Sequence, residues 1–394
     1  MADVFRILDR FRITGIGTIY SIKSNAHVNI RKGDILFDLR RNRFKVKAIE
    51  MFSRIPDGTS IAELPIGLLF EFIDGTEVEG NLLVRSPEDI SFIFCSLPLN
   101  PQRVDIAYEE EYQAAGLEHA CALFSYEDLE MGKLALYGED ISGLAIYRGW
   151  MMTPELYKEF YDKLEGKGII LINTPEEYEK YHLLPGWYSD FQDVTAKTVW
   201  EDQGTVDSAL LLTSGLDGPY IVKDYVKSRK HEWYDACFIY NIANKAESRR
   251  IIGNFIERQS SDLLGGIVLR QFEQLKSIGF HDKSGMPISE EYRAFVFAGN
   301  VMIVDDYWQV NKKHRLSEDE RLWIEMLGKR IHSNFVSMDI ARCADGKLIM
   351  IELGDGQVSG LQQITPTDFY RAFSAFTANG GAKPTARLFR DKGR

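Results

Sequence analysis

Through the first 85 residues, apolar and polar side chains alternate in short runs, and this period of two restricts the segment to β-structure. Phe5-Arg-Ile-Leu, Thr18-Ile-Tyr-Ser-Ile and Phe44-Lys-Val-Lys-Ala-Ile each carry the pattern. Successive strand side chains point to opposite faces, so one face is offered to a core and the other to water. The turn signals Thr14-Gly-Ile-Gly17, Lys32-Gly-Asp34 and Pro56-Asp-Gly58 punctuate the runs. Short strands spaced this way predict a small barrel, which removes exposed strand edges by closing on itself.

After Ser86 the pattern changes. Ser91-Phe-Ile-Phe-Cys, Ala120-Cys-Ala-Leu-Phe, Leu144-Ala-Ile-Tyr and Gly168-Ile-Ile-Leu-Ile-Asn read as strands. The acidic run Tyr108-Glu-Glu-Glu-Tyr-Gln-Ala-Ala reads as a helix, and Thr153-Pro154 supplies an N-cap and first-turn pair for another. Strands alternating with helices predict an open α/β sheet over 86–190. From 191 to 380 the chain is mixed. Tyr220-Ile-Val-Lys, Gly266-Ile-Val-Leu-Arg, Tyr292-Arg-Ala-Phe-Val-Phe, Val301-Met-Ile-Val and Leu348-Ile-Met-Ile-Glu are strand candidates, and 244–258 and 318–331 have helical apolar spacing.

Composition narrows the function. Asp and Glu number 58 against 47 Lys and Arg, a formal net charge of -11, which opposes broad electrostatic attraction to nucleic acid. The basic 387–394 tail reads as a solvated end. No apolar run approaches the ~20 residues of a membrane span, and the N-terminus does not read as a secretory leader. Cys95, Cys121, Cys237 and Cys343 are scattered without a Cys-x-x-Cys pair, which fits a reducing cytoplasm.

Three clusters carry potential chemistry. In Pro219-Tyr-Ile-Val-Lys223, the lysine ends an apolar strand, where it either contacts a phosphate as a point charge or is simply solvated. Lys227-Ser-Arg229-Lys-His231 follows, either a basic lid over phosphates or an ordinary charged loop. In Glu291-Tyr-Arg293-Ala-Phe-Val-Phe, Arg293 lies on the polar register of a strand; it suits a phosphoryl group or a cross-strand salt bridge. The third cluster is a hairpin with an acid on each strand, Asp339 and Glu352, around the turn Ala344-Asp-Gly346. Two carboxylates in an apolar setting repel unless a cation separates them, either Mg²⁺ or a basic side chain. Arg148, just after an apolar strand, suits either a substrate anion or a structural ion pair, and His182 either acid–base work or a structural role.

Two resemblances follow. Val4-Phe-Arg-Ile, Gly15-Ile-Gly-Thr-Ile-Tyr, Ile30-Arg-Lys-Gly-Asp and Ala48-Ile-Glu-Met-Phe resemble, in order and spacing, the second domain of elongation factor Tu. This implies a barrel over 1–85 but no particular function, and no Gly-x-x-x-x-Gly-Lys-Ser/Thr run supports a GTPase. The three clusters, with Tyr147-Arg-Gly-Trp-Met, Thr153-Pro-Glu-Leu-Tyr and Tyr181-His-Leu-Leu-Pro, resemble the ATP-grasp superfamily over roughly 90–370, in particular a bacterial and phage clade. That resemblance implies an α/β pre-domain over 86–190 and α+β ATP-grasp lobes over 191–380. It implies ATP and Mg²⁺, with Lys223, Lys197, Lys227, Arg229, Arg270 and Arg293 toward nucleotide, Glu273 toward the ribose, Asp339 and Glu352 toward the metal, and Arg148 toward substrate. Where the family commonly has Glu-x-Asn, this chain has Glu352-Leu-Gly354, so a third metal oxygen is expected from Asp355, Gln357 or water.

The implied reaction is ATP-dependent joining of a carboxylate to an amine, on a small molecule, peptide or protein tail, by way of an acyl-phosphate. The alternative is a translation-linked RNA- or protein-binding module whose grasp domain senses nucleotide without catalysis. The superfamily resemblance also leaves room for a homodimer.

Overall fold

A computed structural model describes residues 3–24, 30–51, 65–87, 89–281, 285–309 and 313–379. The Pro56-Asp-Gly58 turn and the 387–394 tail lie outside them. Six strands, β1 (Val4–Ile13), β2 (Gly17–Ser24), β3 (Ile35–Phe37), β4 (Arg43–Met51), β5 (Ile66–Phe72) and β6 (Leu82–Val84), close into a barrel in the order β1-β2-β5-β4-β3-β6. The alternating apolar set, including Phe5, Tyr20, Ile22, Phe44 and Val46, fills it. Gly15, at φ 80°, lets the chain reverse between β1 and β2, a conformation that a Cβ disfavours.

The second unit is an α/β sheet. Its elements are β7 (Ile90–Leu97), β8 (Asn100–Val104), α1 (Glu109–Ala115), β9 (Cys121–Phe124), α2 (Tyr126–Glu130), β10 (Tyr137–Gly138), β11 (Gly143–Arg148), α3 (Pro154–Glu165), β12 (Ile169–Leu171), α4 (Pro175–His182) and α5 (Leu184–Phe191). The order is β10-β9-β7-β11-β12, and β9, β7, β11 and β12 run parallel. Every residue of β11 is buried, as parallel strands covered on both faces require. Thr153 caps α3 ahead of Pro154, and Thr174 and Glu177 form a reciprocal capping box on α4.

Two antiparallel sheets follow. The first is β13-β16-β14-β15, from β13 (Thr198–Trp200), β14 (Tyr220–Lys223), β15 (Phe238–Ile239) and β16 (Val268–Gln271); α6 (Val206–Leu212), α7 (Trp233–Ala236) and α8 (Lys245–Gln259) accompany it. A small hairpin, β17 (Ser277–Phe280) and β18 (Pro287–Ser289), leads to the second, β20-β19-β21-β22. That sheet comprises β19 (Glu291–Phe297), β20 (Asn300–Asp306), β21 (Phe335–Arg342) and β22 (Leu348–Asp355), with α9 (Glu318–Lys329) packed on β20. The last helix, α10 (Pro366–Asn379), returns to the α/β sheet, where Tyr370 and Phe373 meet the Phe92 ring edge to face.

The barrel is fixed to the rest. Arg6 bonds Tyr161 and Glu165 of α3, Arg40 Nε donates to Ala298 O at 2.6 Å, and Asn81 bonds Glu177 and Asn334. Val4, Leu39, Leu82 and Val84 belong to the same apolar cluster as the α/β sheet. No helix among the described residues is long and apolar enough to cross a membrane.

Candidate active site

Register brings the third cluster together. Across the second antiparallel sheet, Asp305, Arg293, Asp339 and Glu352 stand directly opposite one another on β20, β19, β21 and β22. Directly opposed residues share a face of a sheet, so Arg293, Asp339 and Glu352 form one row, with Asp305 at its edge bonded by Lys313. The pairing shifts immediately beyond Asp339, a bulge of the kind that re-aims side chains beside active sites.

Both acids are held by cations. Arg293 donates from Nε to Asp339 Oδ1 at 2.7 Å and from Nη2 to Oδ2 at 2.6 Å, while its Nη1 reaches Gly360 O at 2.7 Å. Lys223 Nζ, at the end of β14, bonds Glu352 Oε1. The cross-strand ion pair considered for Arg293 is therefore present. The Glu352 side chain keeps 34% of its exposure, so the row is open to a ligand at that end.

Two further cations, Lys230 and Arg270, lie within electrostatic range of the row. Burial alone would lower the Lys230 pKa, but Glu291, Tyr307, Glu352 and Asp339 outweigh it and raise it. Burial likewise pushes Glu352 up, yet Lys223, Lys230 and Arg270 together hold it below its ordinary value. Arg270, on β16, donates from Nη2 to Thr195 Oγ1 at 2.6 Å, and its buried Nη1 has no hydrogen-bond partner among the described residues. A buried guanidinium with an open donor is costly unless something fills the place.

The 227–231 run does not act as one basic lid. Asp224 Oδ1 accepts from the backbone of Val226 and Lys227 and folds it into a turn, followed by a 3₁₀ turn at Lys230–Glu232. Arg229 points away from the row, to Arg258 O, Gln259 and Glu232, and the Lys227 side chain is exposed. Lys230 is the member of the run within electrostatic range of the acids, and the turn that precedes it is held by Gln259 on Asp224, 35 residues away, a contact that no local pattern reveals. Lys197 is exposed just before β13, and Glu273 is half-buried beyond β16, within electrostatic range of Arg270.

Three expectations need correction. Arg148 does not present an open fork to a substrate: it is 1% exposed, bonds both Glu111 oxygens at 2.9 and 3.1 Å, and donates to the Gly356 and Gln357 carbonyls. Asp355 is buried, bonded to Asn173 at 2.6 Å and to the Gln357 backbone at 2.9 Å. Gln357 is spent on Tyr157 and on the Tyr147 backbone. Neither residue is open to supply a third metal oxygen. Gly354 shares the face of Glu352, two residues on, and a Cβ there would lie 3.1 Å from both Ser337 Oγ and Ser359 Oγ. These two hydroxyls, bonded to each other at 2.6 Å, fill the space that a side chain at 354 would take.

His182 is buried, packed on Tyr178, and its Nε2 has no hydrogen-bond partner among the described residues. Burial drives its pKa down to about 4, with Lys227 and Lys223 pushing the same way and Glu352 opposing them. It is neutral near pH 7, which makes it a poor proton donor there.

Residues 213–373 match the model of a family described as an ATP-grasp domain, the third family of its clade. Over these residues the chain is similar to an ATP-grasp domain. The matched stretch contains Lys223, Lys230, Arg270, Arg293, Asp339 and Glu352. No curated protein matches the chain. Among solved structures it is similar to the ATP-grasp ligase PsnB complexed with minimal precursor, Mg and ADP, at 12% identity over 74% of this chain and 99% of that one, TM-score 0.45. The D-cycloserine synthetase DcsG aligns at 13% identity over 73% and 99%, TM-score 0.47. D-alanyl-alanine synthetase A from Vibrio cholerae aligns at 14% over 74% and 98%, TM-score 0.45.

The residues of this ATP-grasp domain fit a metal held jointly with phosphates. Among the described residues no group of three or more His, Cys, Asp or Glu is arranged around a metal position, so the row offers two carboxylates. Mg²⁺ is commonly bound by one or two carboxylates, with phosphate oxygens and water completing its shell.

Proposed function

We propose that the chain is an ATP-dependent ligase that joins a carboxylate to an amine, using Mg²⁺. The observation that carries the reading is the row of Arg293, Asp339 and Glu352 with Lys223, Lys230 and Arg270 closing on it, inside the stretch matched to the ATP-grasp family. Cations around two carboxylates suit a polyphosphate that arrives with its metal.

Asp339 and Glu352 would hold Mg²⁺, which when bound neutralises charge on the nucleotide phosphates. With the two acids holding the metal, Lys223 and Arg293 would be available to phosphate oxygens. Arg270, with its open Nη1, and Lys230 would bind further phosphate oxygens. Arg293 steadies the phosphoryl group in transit. In the reaction proposed, a carboxylate oxygen attacks the γ-phosphorus and ADP leaves, giving an acyl-phosphate. An amine nitrogen then attacks the acyl carbon, phosphate departs, and the nitrogen gives up a proton. The chain's part is positioning and charge stabilisation.

Screening for Mg²⁺-dependent ADP release over a panel of carboxylates and amines tests this. Activity that disappears in Glu352→Gln, with unchanged thermal stability, supports the reading; full activity in that variant rejects it. Gly354, crowded by two serines, favours a second reading in which nucleotide is sensed without turnover. Tight nucleotide binding without ADP release over the whole panel would favour that one.

A further inference from the structure

A cavity of about 680 Å³ lies between the barrel and the ATP-grasp domain, apart from the acid–cation row. All three units wall it: the middle of β1 and the 78–82 segment of the barrel, Glu177 of α4, and the 298–299 hairpin tip and 331–334 segment of the grasp lobe. Its size is that of a ligand site, not of a packing defect.

Its lining is divided. Ile7, Leu39, Val78, Leu82 and Ile331, each at most 9% exposed, form an apolar floor. At the hairpin tip two cations converge. Arg40 Nε is on Ala298 O, and a Cβ on Gly299 would lie 2.5 Å from Arg40 Nη2. Lys329 reaches the next residue, Asn300, through its side-chain oxygen. Burial, and then the neighbouring Arg40 charge, lower the Lys329 pKa, against the opposing pull of Glu325. One carboxylate, that of half-exposed Glu79, already sits on Arg40 and indicates the head group this corner accepts. Ser333 also lines the cavity; it is 4% exposed, and its Oγ has no hydrogen-bond partner among the described residues.

We propose that this cavity is a second ligand site, taking a carboxylate carried on an aliphatic body. The head group exchanges with Glu79 on Arg40 and Lys329, the body lies on the Ile7–Leu39–Leu82 floor, and Ser333 Oγ bonds a polar atom of the ligand. Two sources share this chemistry, a free branched-chain acid and the C-terminal end of a peptide. The site is independent of the ligase reading, because none of its residues belongs to the row.

Isothermal titration of the full chain tests it with four probes: 4-methylpentanoate, an N-acetylated tripeptide ending in leucine, and the amide of each. Saturable binding of at least one acid is expected, roughly tenfold or more tighter than its amide. Which acid binds identifies the source. Lys329→Gln and Ser333→Ala weaken the binding, and Glu79→Gln, which frees Arg40, strengthens it. Ser333→Ala leaves the melting temperature unchanged, since its hydroxyl has no bond to lose. Binding of Mg²⁺ with a non-hydrolysable ATP analogue stays as in the parent protein, which shows that the variants fold. No saturable binding of either acid, an amide that binds as tightly as its acid, or affinity indifferent to all three substitutions overturns the proposal.

Discussion

Asp339 is bound at both oxygens by a buried arginine, and this makes it a double-edged position. Its side chain is 7% exposed and that of Arg293 10%. Removing one charge of such a pair strands the other, typically at a cost of about 3–5 kcal/mol. Asp339→Asn is therefore expected to lose stability as well as metal binding, measurable as a lower urea midpoint at unchanged slope. Glu352→Gln also removes the charge partner of Lys223, itself 7% exposed, but Glu352 keeps 34% side-chain exposure and glutamine retains an acceptor oxygen, so a smaller loss is expected. His182 gives a pH signature. Its folded pKa lies below the unfolded value, so neutral His182 adds stability that is fully present above about pH 6.5 and is lost as pH falls toward about 4. Its imidazole proton resonances should stay fixed between roughly pH 7.5 and 5.5, whereas a shift near pH 6.5 would show that it is hydrated.

The element that organises the site is the β21–β22 hairpin, and it was legible. Acids at 339 and 352, apolar flanks and an Asp-Gly turn define its register, and the structure pairs the two directly. The closed barrel was equally readable, from its period of two. What sequence did not reveal depends on distant partners. Arg148 is taken by Glu111, 37 residues earlier, and Asp355 by Asn173, 182 residues earlier. Lys230 turns inward and Arg229 outward because Gln259 and Asp224 fix the intervening turn. Gly354 follows from the hairpin's own packing: Gly354→Asn would force a side chain against Ser337 and Ser359. It is expected to destabilise by about 1–3 kcal/mol through overpacking, seen as a lower melting temperature. An unchanged or higher value would mean that the two hydroxyls yield readily.

At the scale of the whole molecule the barrel behaves as a fixed part. Leu39, Leu82 and Val84 share one core with the α/β sheet, and Arg40 grips the β19–β20 tip whose strands lead back to Arg293 and Asp305. A chain beginning after Arg85 would expose that shared core, so its loss of activity would not by itself assign the barrel a part in chemistry. Arg40→Ala is the milder test. Faster backbone hydrogen exchange at 298–300 is expected, with the barrel still folded; unchanged exchange would show that the clamp carries no strain.

In the function proposed, Asp339 and Glu352 hold Mg²⁺ against a nucleotide that Lys223, Lys230 and Arg270 grip. Calorimetric binding of a non-hydrolysable ATP analogue, with and without Mg²⁺, tests it most directly. The parent chain should bind roughly tenfold or more tighter with Mg²⁺, and Glu352→Gln should bind about equally with and without it. A Glu352→Gln protein that keeps the full Mg²⁺ dependence would mean that Glu352 does not hold the metal.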